Sequence, residues 1–265
     1  MKKIIITFIT VSILAPIVAT FYQQHIHSIT YFESNENYFF GHATIETKIK
    51  SNQLQWKMIS ETNELAYIRQ NIGLLFVNGK FKAFYSEWKP NRRYLSFQQS
   101  FPLPNKARID TLGLHYGEFH DDDSIYSLQL MDGQTLYTET NEKMKQSIDH
   151  QIDQTIQQYV QYILDMYSID ENLYHIVPFT ELQQYFKYYN NKHSNLATEK
   201  LEGHLWESIY KQYILTLLST KDIDEHVMPL FLFAKDNSHV YFIFTMNHKT
   251  YQFIQMIDSS MDEWE

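Results

Sequence analysis

Leu74-Leu75-Phe76-Val77-Asn78-Gly79-Lys80-Phe81-Lys82-Ala83-Phe84-Tyr85 decides how this chain is read. Two apolar, strand-forming runs flank Asn-Gly. That dipeptide tolerates the two positive φ angles of a two-residue type I′ turn. A β-hairpin is expected here, with an antiparallel sheet around it.

Working outward, the period stays at two. Upstream, Ala43, Ile45, Thr47 and Ile49 alternate with Thr44, Glu46, Lys48 and Lys50, and Leu54, Trp56 and Met58 continue the pattern. Downstream, Pro90 and the pair Pro102 and Pro104 mark loops, because proline has no N–H to give a ladder. Residues 109–119 read as a further strand turning through Asp121-Asp122-Asp123. Asp132-Gly133 reads as a second hairpin, between 125–131 and 134–137. Residues 41–140 are thus expected to form an antiparallel β meander, a small barrel or sheet, of about six to eight strands.

At Asn141 the period changes to that of a helix. Ile148, Ile152, Ile156, Tyr159, Ile163 and Met166 fall on one stripe, which predicts a long linking helix over 142–167. Thr180 with Gln183 offers a capping box for a short helix whose apolar face is Leu182, Tyr185, Phe186 and Tyr189. A second amphipathic helix is expected over 197–219, carrying Gly203 at a cost of about 1 kcal/mol relative to alanine. Segments 228–233, 240–245 and 251–257 predict a C-terminal three-stranded meander. Residues 141–265 are therefore a helical region with a terminal β meander, which joins 41–140 in one domain or stands beside it. Strands and helices are segregated along the chain, so the fold class is α+β.

The N-terminus carries a different signal. Lys2 and Lys3 precede a stretch, 4–22, without one charged side chain. Nineteen helical residues would span about 28 Å, close to the hydrocarbon thickness. Residues 1–22 are expected to be a membrane anchor or signal segment, with the C-terminal bulk outside the cytoplasm. Cleavage after Ala19 would instead release a secreted protein, but Ile17 is large for the position three residues before such a site. Residues 23–40 read as a stalk that docks through Tyr38-Phe39-Phe40. His25 and His27 lie in it without a third metal ligand nearby.

Composition removes several classes of function. A net charge of −9 argues against nucleic acid, which needs clustered Lys and Arg. The absence of Cys excludes disulfides, thiol catalysis and Cys-ligated zinc. Seven Gly form neither of the phosphate-cradling patterns, and no Gly-x-Ser-x-Gly elbow occurs. Twenty Tyr and eighteen Phe suit either a β-rich core or an aromatic binding face.

Chemistry concentrates in His115-Tyr116-Gly117-Glu118-Phe119-His120-Asp121-Asp122-Asp123. On a strand, Glu118 and His120 share one face and His115 takes the other. Glu118, His120 and Asp122 are weak candidates for a divalent cation at a hairpin tip, matching no standard ligand loop; an acidic, solvated turn explains the same residues. No catalytic or cofactor-binding residue is singled out, and no cofactor is expected. The expectation is a non-catalytic, membrane-anchored extracytoplasmic module of the cell envelope that binds a protein or envelope polymer. The alternatives are a hydrolase using carboxylates or a metal near 115–123, and a structural subunit of an envelope complex.

Overall fold

The computed structural model describes residues 29–121, 123–191, 195–220 and 228–257, with residues 69–71 and 195–197 described by backbone alone. The apolar segment 4–22, Ala19, His25, His27 and Asp122 lie outside the described residues. Among those described, no helix is long and apolar enough to cross a membrane.

The first sheet contains β1 (Phe40–Lys50), β2 (Gln53–Val77), β3 (Lys80–Pro102), β4 (Arg108–Asp121) and β5 (Ser124–Tyr137). The Asn78-Gly79 turn joins β2 to β3, with φ of 52° and 73° as a type I′ turn requires. Ser51 and Asn52, at φ 51° and 58°, make a similar tight turn between β1 and β2. All pairings are antiparallel.

Five long strands replace the six to eight expected, because two presumed breaks are not breaks. β3 runs through Pro90, which falls between the paired residues Lys89 and Arg92, beside Asn91 at φ 55°. Proline is tolerated there because it lies at a bulge on an edge strand. The second hairpin at Asp132-Gly133 does not form: β5 passes straight through, with Leu112 opposite Gly133 and Gly113 opposite Asp132. The Asp132 carboxylate instead accepts from the Ile45 N–H at 2.8 Å and from the Gly133 N–H at 2.8 Å. A side chain that could have closed a turn is used to close a sheet.

That closure makes the sheet barrel-like. β2 pairs β1 with its first half and β4 with its second half. Between them, shifts of register against β3 from Glu61 to Asn71 bend the strand. The inward-facing residues change from Leu54, Trp56, Met58 and Ser60 to Leu75 and Val77 across this corner. The two halves of β2 come face to face so closely that a Cβ on Gly73 would lie 2.6 Å from Trp56 Cζ2. β1 and β5 share no ladder. Asp132 and Gln134 bridge them, the latter accepting from the Thr47 N–H at 2.5 Å.

The outer face of β2 and β4 (Ile72, Leu74, Phe76, Leu112, Leu114, Tyr116) packs on the second half of the chain in one core. Helix α1 (Glu142–Tyr167) matches its expected bounds, and the Asn141 side chain caps it by accepting from the Lys143 and Met144 N–H groups. α2 (Leu182–Asn190) buries Leu182, Phe186 and Tyr189 as its periodicity implies. Its capping box is absent: Gln183 donates to the Met131 carbonyl and the Thr180 hydroxyl to Met228 Sδ. A tertiary partner took both side chains. α3 (Asn195–Ile209) continues through a π turn, Tyr210–Ile214, into α4 (Leu215–Ser219).

The C-terminal meander β7 (Leu230–Ala234), β8 (His239–Met246) and β9 (Lys249–Met256) gains a fourth strand, β6 (Tyr174–Pro178), at its edge. One face packs on α1 through Leu230, Leu232 and Ile243 against Tyr159 and Ile163. The other face, with Phe231, Phe242 and Phe244, meets Phe179, Trp206 and Tyr213.

Residues 29–39, at the end of the segment expected as a stalk, form a strap against this body. Ile29 is fully buried in the shared core. The Tyr116 hydroxyl donates to the Thr30 carbonyl, and the Ser127 hydroxyl both accepts from the Phe32 N–H and donates to the Phe32 carbonyl. Tyr38 stacks on Phe119, whereas Phe39 stays exposed. Tyr31 explains Gly203: a Cβ there would stand 2.2 Å from Tyr31 Cδ2 and 2.6 Å from Gln129 Nε2.

Candidate functional site

Alternation along β4 puts Glu118 and His120 on one face. Glu118 is only 3% exposed, and its Oε1 lies 2.5 Å from His120 Nε2. The His120 ring packs beside Tyr67, with centroids 4.5 Å apart. The structure therefore brings two of the three sequence candidates together, while Asp122 falls outside the described residues. Among the described residues, no group of three or more His, Asp or Glu side chains is placed to hold a metal ion.

His115 points the other way, into the barrel. Its Nδ1 shares a 2.6 Å hydrogen bond with the Ser60 hydroxyl, and its Nε2 has no partner. Burial, and secondarily nearby His42, pull its pKa from 6.5 down to about 3. A serine–histidine contact can support nucleophilic chemistry only where a substrate reaches the oxygen. Both residues are 0% exposed, so this pair is enclosed.

The concave surface with unmatched polar groups lies elsewhere, where β5 meets α2 and α3. Gln129, Leu130 and Met131 form one wall, Gln183, Phe186, Lys187 and Asn190 the second, and Thr198 and Glu202 the third, around about 240 Å³. Each element is held firmly. Gln183 anchors α2 to the Met131 carbonyl at 2.7 Å. Gln129 Nε2 reaches the Glu199 carbonyl of α3 at 3.5 Å. The strap backs the same junction, with Tyr31 wedged between Gly203 and Gln129. Burial, then the carboxylates of Glu199 and Glu33, push the Tyr31 hydroxyl above its usual range.

Two acceptors in this cleft lack donors among the described residues. Gln129 Oε1 is buried without a hydrogen bond. Glu202 has no hydrogen-bond donor and no ion pair among the described residues, although Lys187 stands exposed at the rim. Burial and, next, the Glu199 carboxylate raise the Glu202 pKa from 4.5 to about 7. An acid poised near neutrality in a cleft is a common mark of a functional site.

A second, larger hollow of about 450 Å³ runs along the seam of β1 and β5. Asp132 and Gln134 on its wall are already engaged, holding the Ile45 and Thr47 N–H groups. Among the described residues, few aromatic rings are exposed. Phe39, Tyr94, Tyr162 and Tyr188 are exposed on four separate segments, and the largest rings fill the core.

No protein-family model matches the chain, and no curated protein does. Among solved structures, a crystal structure of a protein from Archaeoglobus fulgidus is similar over 39% of this chain and 100% of its own, at 8% identity and a TM-score of 0.24. A likeness at that score supports no inference about fold or function.

Proposed function

We propose that the chain is a membrane-anchored extracytoplasmic binding module, and that its ligand enters the cleft between β5, α2 and α3. The observation that carries this reading is the buried Gln129 Oε1, which has no donor, beside the half-buried Glu202 carboxylate, which has no partner among the described residues, in one concave site. A buried polar group without a partner costs on the order of 1–3 kcal/mol. A ligand that supplies the donor recovers that cost. Anchoring rests on the uncharged segment 4–22. Nine residue steps lead from Tyr22 to Tyr31, which backs the cleft, and an extended chain covers about 3.4 Å per step. The cleft then works within about 30 Å of the membrane surface, so a membrane-proximal protein or envelope polymer is the expected source of the ligand.

Two experiments test the reading. A fragment screen by saturation-transfer NMR on the full-length chain is expected to return hits that Leu130→Trp, which fills the cleft mouth, abolishes. Hits that survive that substitution place binding elsewhere. Carbonate washing of membranes is expected to leave the full-length chain in the pellet at its uncleaved mass.

The hydrolytic alternative near 115–123 draws on one observation, the 2.5 Å contact of buried Glu118 with His120. It requires that zinc or manganese raise the melting temperature of the wild type but not of His120→Ala.

A further inference from the structure

We infer that the cleft between β5, α2 and α3 is a receptor site for a primary ammonium group on an alkyl stem, held by Glu202 and Gln129 Oε1. The inference rests on the reading of this cleft as a binding site and names the chemistry of the ligand.

Of the acceptors at the cleft wall, Gln129 Oε1 is buried without a donor, and the Glu202 carboxylate has none among the described residues. The Gln129 amide turns its Nε2 towards the Glu199 carbonyl, at 3.5 Å, and leaves Oε1 for another donor. Two acceptors call for a ligand rich in donors. An ammonium carries three N–H groups and a full positive charge. Two of the three can be met at the wall, and the third reaches water at the mouth. A hydrogen bond from a cation to a carboxylate is roughly twice as strong as a neutral one.

A metal ion fits less well. Calcium takes six to eight oxygens, and the cleft provides one carboxylate and a few amide oxygens. A guanidinium prefers a bidentate carboxylate with further planar acceptors, which one amide oxygen does not complete. Leu130, Met131 and Phe186 line the remainder of the cleft and suit an alkyl stem. At about 240 Å³ the space is small for a drug-sized ligand but sufficient for the end of a chain.

The charges around Glu202 agree. Glu199 on its own helix adds negative potential, Lys187 on α2 is exposed to solvent, and the β5 wall of Gln129, Leu130 and Met131 carries no charge. An arriving cation supplies a counterion that Glu202 lacks among the described residues. Part of the Glu202 population is protonated at neutral pH, so ammonium binding releases protons.

The test uses the full-length chain and isothermal calorimetry with four probes: n-butylammonium, butyltrimethylammonium, n-butanol and a peptide compared with its N-acetylated form. n-Butylammonium is expected to bind, with proton release seen as a buffer-dependent enthalpy. Butyltrimethylammonium keeps the charge but has no N–H, and n-butanol keeps the stem but has no charge. Each should bind about tenfold more weakly or worse. Glu202→Gln should lose about tenfold for n-butylammonium while still melting in one cooperative transition no lower than the wild type's. Preference for the free-amine peptide over its acetylated form assigns the natural source to a polymer end; preference for n-butylammonium over both assigns it to a small amine. Equal binding of n-butanol, an unchanged affinity in Glu202→Gln, or no n-butylammonium binding overturns the inference. If n-butylammonium fails while neutral or anionic fragments still shift resonances of Gln129 and Phe186, the cleft remains a binding site and only the ammonium assignment falls. If nothing shifts them, both fall.

Discussion

Inside the barrel, Ser60 meets His115 at 2.6 Å and Thr47 meets Thr111 at 3.1 Å, and Trp56, Leu75 and Ile109 close over the space. In the cleft beside it, Gln129 Oε1 is buried without a donor, and the Glu202 carboxylate has no partner among the described residues. Both regions hold polar groups away from bulk water. The barrel spends them on its own closure, whereas the cleft leaves them unmatched. They also titrate in opposite senses. Burial pulls His115 down to about 3 and lifts Glu202 to about 7. Each region favours the neutral form of its group, and only the cleft is open to a partner that could reverse this.

The largest expected effect separates the two regions by stability. Trp56→Ala removes the largest side chain of the barrel interior and should cost about 3–5 kcal/mol in urea denaturation. Ligand binding in the cleft should be unchanged in the surviving folded fraction. A loss of binding at constant fold would mean that the regions are coupled.

Next in size is Gly203→Ala. The added methyl overlaps Tyr31 and Gln129, and overpacking of this kind costs about 1–3 kcal/mol. Here the cleft should suffer, because the strap and Gln129 must both move. Combining it with Tyr31→Ala should give less than the sum of the two costs. Additive costs would show that the strap does not press on α3.

pH sharpens the contrast. An unfolded histidine takes its proton near 6.5, but His115 in the fold refuses it until about 3. Its contribution is complete above 6.5 and is lost as pH falls towards 3, at up to about 1.4 kcal/mol per pH unit. Denaturation at pH 7 and pH 5 should show wild type losing more stability than His115→Leu. An equal loss would mean that His115 is not sealed.

Glu202 runs the other way. Its folded pKa lies above the unfolded 4.5, so its contribution is complete below 4.5 and is lost as pH rises to about 7. Glu202→Gln should therefore stabilise the chain above neutrality by about 1 kcal/mol, after allowance for partial solvent screening. At pH 4.5 the substitution should be neutral. The reverse pattern would remove the basis for a poised acid.

The same contrast governs what could be read from sequence. The Asn78-Gly79 hairpin, the helix over 142–167 and the final meander follow from local chemistry: turn angles, a helical stripe, short apolar runs. Asp132-Gly133 and Pro90 misled because their meaning is tertiary. Asp132 serves the Ile45 N–H, 87 residues away along the chain, and Pro90 lies at a bulge. The β4 alternation correctly paired Glu118 with His120 and separated His115, since a strand fixes side-chain direction. The cleft was not legible. Gln129, Lys187 and Glu202 come from three elements and form no motif. Gly203, a costly residue inside a helix, was the one local sign of close packing beside Glu202, and only the position of Tyr31 gives it meaning.

The most direct test of the cleft as a poised binding site is a ¹³C NMR titration of the Glu202 side-chain carboxyl, assigned by loss of its signal in Glu202→Gln. The account predicts a midpoint near 7. A midpoint at the ordinary 4.5 would mean that Glu202 is solvated or already paired, and would contradict it.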